Sequence, residues 1–215
     1  MAQQPSPISG TLRLVPKAAE LDDAELVRRC VAGDRLALRT LFERERTRVH
    51  ALLFRVVGSN VPIDDLAQEA FLEVFRSLPS FRSESSLRTW IDRCVVRVAY
   101  TYFRRKARTP ALAECLPDNT ASAAATAEER TALREAARRL YSELERLEPK
   151  QRLAFTLFAI EDRPLREVAS IMECSVVTAK LRVWRARQAI EKRAKRDPLL
   201  AEFLAGPGEQ AKGQP

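Results

Sequence analysis

The chain has 215 residues, room for one ordinary domain or two small ones, and with 46% hydrophobic and 31% charged residues it can bury real cores and keep a hydrated surface. A formal net charge of +8 points to a polyanionic partner, nucleic acid first and anionic membrane second. Four dispersed cysteines (Cys30, Cys94, Cys115, Cys174) and one histidine, His50, supply no clustered zinc ligands, and no apolar run approaches the ~18 residues of a membrane span.

Residues 1–20 are aperiodic, hold Pro, Gln and Ser, and lack the apolar core of a signal peptide, so they are expected to be a disordered tail of a cytoplasmic protein. Order is expected from Leu21, where Asp22 can cap a helix carrying Leu26, Val27 and Cys30. Gly33 suits its end, and Asp34 caps a second helix with Leu38, Leu41, Phe42, Val49, Leu52, Leu53 and Val56 at helical spacing. After a connection over 58–63, Asp64 or Asp65 is expected to cap a helix whose apolar face is Leu66, Ala70, Phe71, Val74, Phe75 and Leu78. A Ser-rich break precedes a helix over 87–106, with Trp90, Ile91, Cys94, Val95, Val98 and Tyr102 as its buried side and a basic end at Arg104, Arg105 and Lys106.

The composition then shifts to Ala, Pro, Ser and Thr, and residues 109–127 read as a flexible linker. Beyond it, 128–147 is helical, Pro149 opens another helix, and Pro164 to Met172 is short. A tight connection at Glu173, Cys174 and Ser175 leads into a long helix to about Lys195, and 197–215 reads as a C-terminal tail. The fold class expected is all-α: two small helical domains, 21–108 and 128–196, each with its own core.

The pair of helices over 164–195 has the form of a helix-turn-helix, which sets its second helix into the DNA major groove. Ala179, Val183, Ala186 and Ile190 step by four, three and four, a small-residue stripe suited to close packing on Val168, Ala169 and Ile171. The rest of the helix carries Thr178, Lys180, Arg182, Arg185 and Arg187, and arginine can bind guanine through two bonds or neutralise phosphate. Val177, Leu181 and Trp184 form a second apolar stripe nearly opposite the first. Three roles are open to it: contact with thymine methyls, cover by an inhibitor, or packing against the linker or tail.

This segment resembles region 4 of sigma factors, through Leu147-Glu148-Pro149, Arg152, Phe155, Leu157, Glu167-Val168-Ala169, Ser175, Thr178 to Val183, and Arg185-Ala186-Arg187. Upstream, Ala32-Gly33-Asp34 with Ala37, Leu41 and Phe42, the run Asp64 to Leu72, Thr89-Trp90-Ile91 and Arg104-Arg105 resemble sigma region 2 in order and spacing. With only a short linker between them, the two resemble the extracytoplasmic-function (ECF) group of the sigma-70 family. The resemblance implies binding to core RNA polymerase, at its β′ clamp and β flap, and to promoter DNA, with an anti-sigma factor as regulator.

By the same resemblance, Asp65, Gln68, Glu69 and Glu73 form the polymerase-binding edge. The −10 element falls to Ser83, Arg88, Arg93, Arg97, Tyr100, Thr101, Arg104 and Arg105, in a segment where basic groups and the aromatic faces of Trp90, Tyr100, Tyr102 and Phe103 suit unpaired bases. Trp90, sharing a face with Cys94 and Val98, reads better as core than as a wedge. The −35 element falls to Ser175, Thr178, Lys180, Leu181, Arg182 and Arg185. The family often has Asn where Arg97 stands and Asp near Thr101, so a −10 preference unlike the family average is expected; on the −35 helix it usually has a small polar residue where Leu181 stands.

No Gly-rich phosphate loop, ligand cluster or acid–base pair suggests an enzyme, a catalytic residue, a metal, a cofactor or a small-molecule substrate, leaving only a carboxylate-based nuclease as a formal alternative. The stronger rival is a helix-turn-helix regulator with a sensing or dimerising N-terminal lobe, which would bind duplex DNA specifically without polymerase. An adaptor that sequesters a partner would not need the basic helix. Two small lobes on one linker also suggest that the free chain is compact and autoinhibited.

Overall fold

The computed structural model describes residues 21–58, 61–106 and 127–194, and every regular element among them is helical. Local capping explains most boundaries. Asp22 Oδ1 accepts from Glu25 N at 2.7 Å to start α1 (Asp23–Val31). At its end Gly33, at φ 82°, donates to Cys30 O while Asp34 N reaches Arg29 O, both at 3.0 Å, the two bonds of a Schellman turn. Asp34 then accepts from Leu36 N and Ala37 N and opens α2 (Arg35–Val57). The expectation of an aspartate cap on the next helix is corrected. Pro62 holds the cap position of α3 (Ile63–Ser77) without a side-chain bond, and Asp64 and Asp65 sit in the first turn, where their charge favours the helix dipole.

A 3₁₀ turn, Leu78–Ser80, and a loop with Ser83 at φ 58° lead to α4 (Leu87–Lys106), whose start is capped by Ser86 Oγ accepting from Thr89 N at 3.1 Å. The C-terminal half holds α5 (Ala127–Glu145), α6 (Pro149–Phe155), a single π-helical turn at Thr156–Ile160, α7 (Leu165–Ile171) and α8 (Val176–Ala194). Pro149 stands in the first turn of α6, as its missing N–H predicts, but Pro164 caps α7 rather than entering it. The expected linker, except its last residue Ala127, and both expected tails lie outside the described residues.

In the N-terminal lobe α2, α3 and α4 pack around Leu41, Leu52, Leu53, Ala70, Val74, Ile91 and Val95, all buried. In the C-terminal lobe the stripe Ala179, Val183, Ala186 and Ile190 is buried as its spacing predicts; small residues let α8 approach α6 and α7 closely. The lobes do not keep separate cores. One buried cluster runs from the N-terminal helices through Leu153, Leu157, Val168 and Ile171, because α4 packs on both α6 and α7. A second cluster, including Leu140, Leu144, Phe155 and Ile190, fixes α5 to α8.

Polar contacts fasten the same seam. Arg152, buried, donates from Nε to Val56 O at 3.2 Å and from Nη2 to Val57 O at 2.8 Å, satisfying orphan carbonyls at the end of α2. Burial draws its guanidinium down to about 10, still charged at neutral pH. Tyr141 Oη donates to Arg55 O at 2.9 Å, and Arg55 pairs with Glu161. Gly58 permits this closeness. Its φ of 79° and ψ of −174° are open essentially to glycine alone, and a Cβ there would stand 3.3 Å from the Tyr141 ring.

Candidate nucleic-acid interface

Three faces carry the residues singled out by sequence. The first is a groove of about 730 Å³ between α2 and α3, lined by Phe42, Arg46, His50, Gln68, Phe71 and Leu72 among others. Phe42 packs edge-on against Phe71 with ring centroids 4.7 Å apart, yet it and Leu72 remain 39% and 56% exposed. Large apolar side chains left open beside charge mark a contact surface. Of the four residues expected to bind polymerase, Gln68 lines the groove and Asp65 is exposed on the adjoining ridge. Glu69 and Glu73 turn the other way, toward α4, within 3.5 Å of Arg105 and Arg97 respectively. The acidic edge is therefore split. Sequence reasoning missed Leu72 and His50; the signal for Leu72 was a leucine off the apolar stripe of its own helix.

The second face is α4 with the loop before it. Ser83 and Arg88 are exposed, and Arg104 and Arg105 extend from its basic end. Tyr100 lies between two cations, Arg104 at 5.9 Å and Lys150 at 5.6 Å from its ring centroid. Phe103 departs from expectation: it is buried, because the Arg152 guanidinium covers its ring at 4.5 Å, and its face is closed to bases. Trp90 is half-buried, edge-on to Phe81 at 5.5 Å, a packing role as expected. The Thr101 hydroxyl is engaged, donating to Arg97 O at 3.0 Å.

Two arginines expected at −10 are engaged by the other lobe, Arg93 half-buried and Arg97 still exposed. Arg93 donates from Nε to Ser170 O at 3.0 Å and from Nη2 to Ser170 Oγ at 2.8 Å. Arg97 Nη2 donates to Glu173 Oε2 at 3.1 Å. Beneath them Asp92, fully buried, pairs with Arg48 of α2 and lies 3.4 Å from Arg163 of the other lobe. Burial pushes its carboxyl above the usual range, and the Arg48 charge foremost pulls it back. Asp92 was legible in the sequence only as a carboxylate next to Ile91 on an otherwise apolar face.

The third face is α8. Ser175 Oγ accepts from Thr178 N at 3.1 Å and lies 2.8 Å from Thr178 Oγ1, so these two hydroxyls start the helix. Lys180 and Arg185 are exposed and Arg182 is half-buried; among the described residues none of the three takes an ion pair, whereas Arg187 is tied to Glu191 at 2.7 Å. A short helix, a tight turn and a long helix with open cations can enter a major groove and neutralise its walls.

Comparison with known proteins follows this division. The model for Sigma-70 region 2 matches residues 41–109, and that for Sigma-70, region 4 matches residues 137–190. The ECF RNA polymerase sigma-E factor of Haemophilus influenzae is 34% identical over 182 residues, 81% of this chain and 96% of that protein. The chain belongs to the ECF sigma factors. The Escherichia coli K12 sigma-E factor is likewise 34% identical over 180 residues, covering 80% of the chain and 94% of that protein. Among solved structures, CnrH in complex with the cytosolic domain of CnrY shares the fold of this sigma factor, with a TM-score of 0.57 at 20% identity over 81% of this chain and 98% of that one. The Bartonella quintana sigma factor RpoE, bound to the anti-sigma factor NepR, gives 0.55 at 20% identity over 74% and 97%. In this sigma factor the α2–α3 groove and α4 fall within the region 2 match, and the helix-turn-helix falls within the region 4 match up to residue 190, four residues short of the end of α8.

Proposed function

We propose that this ECF sigma factor binds core RNA polymerase through the groove between α2 and α3, reads the −10 element with α4 and its preceding loop, and reads the −35 element with α8. The observation that carries this division is the coexistence, in one chain, of an open apolar groove beside charge and a helix-turn-helix whose Lys180, Arg182 and Arg185 take no ion pair among the described residues. A stand-alone regulator could use such a groove to sense or dimerise; the match of residues 41–109 to Sigma-70 region 2 supports polymerase as its occupant instead. Melting draws on the exposed cations at the end of α4 and on Tyr100, which suit a backbone and an unstacked base respectively. The C-terminal lobe meets the β flap. Nucleotide chemistry belongs to the polymerase; the chain contributes no catalytic group and acts in the cytoplasm. An anti-sigma factor is its expected regulator.

The seam between the lobes gives this function a resting state. While Ser170 holds Arg93 and Glu173 pairs with the exposed Arg97, these cations are partly engaged and less available to DNA. Docking on polymerase separates the lobes, and two individually weak DNA contacts then gain from their linkage through one large complex.

The test is transcription of fragmented genomic DNA by purified core polymerase with and without the chain. New, discrete 5′ ends that share −35 and −10 motifs are expected. No new starts, together with specific duplex binding by the chain alone, would replace this reading with the stand-alone regulator.

A further inference from the structure

The outward face of α8 has an apolar centre inside a basic frame. Val177, Leu181 and Trp184 are 78%, 41% and 56% exposed. Steps of four and three keep them in one line, nearly opposite the buried stripe of Ala179, Val183, Ala186 and Ile190. Lys180 and Arg187 flank this line on one side, Thr178 and Arg185 on the other.

Three large apolar side chains in a row on a charged helix face call for a complementary surface whose centre is apolar and whose margins are anionic. The major groove of duplex DNA has that arrangement. It admits one α-helix, its walls are phosphates, and wherever a thymine occurs its floor carries a C5-methyl group. Arginine and lysine at the margins suit the walls; leucine and valine at the centre have nothing to offer a guanine edge but can pack on methyls, as can the face of the tryptophan ring.

We propose that Leu181, flanked by Val177 and Trp184, reads thymine methyl groups in the −35 element and is a specificity-determining residue of this sigma factor, while Lys180 and Arg185 hold the adjacent phosphates. The inference rests on the −35 reading of α8 given above. Its chemistry is contact only: no bond forms, and the gain comes from removing a methyl group and the leucine side chain from water together.

The experiment uses holoenzyme assembled from core polymerase and the full chain. It first selects −35 sequences from a randomised duplex library, and each selected thymine is then replaced by uracil, which removes only the methyl. One or two positions are expected to lose about four-fold in affinity, the ratio that burial of one methyl-sized group corresponds to. Leu181→Ser, at an exposed position where folding is not at stake, is expected to bind thymine and uracil duplexes alike there while keeping its preferences at guanine positions. Equal binding of thymine and uracil by the parent chain, or discrimination retained by Leu181→Ser, overturns the proposal. So does the finding that Leu181→Ser weakens only the grip of an acidic helical inhibitor. Failure to select any −35 sequence would overturn the promoter reading itself and this inference with it; specific selection with equal thymine and uracil affinity would sink the inference alone.

Discussion

Glu173 shows how one residue can serve the local fold poorly and the whole molecule well. It occupies the left-handed position that ends α7, at φ 49°, with Cys174 N donating to Ala169 O at 3.0 Å. Glycine is the usual occupant of such a site, since other L-residues carry a steric cost of about 1–2 kcal/mol there. The glutamate side chain instead reaches Arg97 on α4, a partly exposed ion pair whose contribution is at most about 1 kcal/mol. The backbone relief exceeds the lost pair. Glu173→Gly is therefore expected to hold or raise the melting temperature, by about 2–4 °C for each 1 kcal/mol of net gain in a chain of this size. Arg97, released from Glu173 though still 3.5 Å from Glu73, should improve binding of a single-stranded −10 oligonucleotide to the free chain by up to about five-fold, the most that an exposed ion pair of about 1 kcal/mol can move. Calorimetry and fluorescence anisotropy read the two effects separately; a raised melting temperature with unchanged binding would show that Glu173 is only a turn residue, and a lowered one would contradict the backbone argument.

At the scale of elements, the groove between α2 and α3 is the feature whose use is most open to a single change. Leu72→Glu places a charge on an exposed leucine, so thermal stability should stay within about 0.5 kcal/mol of the parent chain. Affinity for core polymerase should fall at least ten-fold, in the range typical of a central apolar contact, measured by co-elution or surface binding. Unchanged affinity would move the docking surface elsewhere. The helices themselves were legible because their signals are local. Asp22, Gly33 and Asp34 mark ends by hydrogen bonds spanning two to five residues, and the four-three-four spacing of α8 announces its buried side. What sequence could not give was direction around α3: Glu69 and Glu73 look like neighbours of Asp65 and Gln68, and only the packing of α4 decides that they face Arg105 and Arg97. The closure of Phe103 by Arg152 is hidden for the same reason, since the two stand 49 residues apart and meet through tertiary packing.

At the scale of the molecule, separate lobes on a linker were the natural expectation, and compactness of the free chain was anticipated from their small size. The shared core and its polar fastenings give that compactness a mechanism. Tyr141, Arg152 and Gly58 join the end of α2 to α5 and α6, and Ser170 and Glu173 hold α4. Such a seam must be strong enough to persist in the free chain and weak enough for polymerase to open. The central claim is that polymerase binding, by parting the lobes, turns a closed chain into a promoter reader. It is tested most directly by energy transfer between dyes at the exposed positions Arg39 on α2 and Lys192 on α8, in the free chain and in transcribing holoenzyme. High transfer in the free chain that falls when core polymerase is added is the predicted result; transfer that stays unchanged while transcription starts would contradict it.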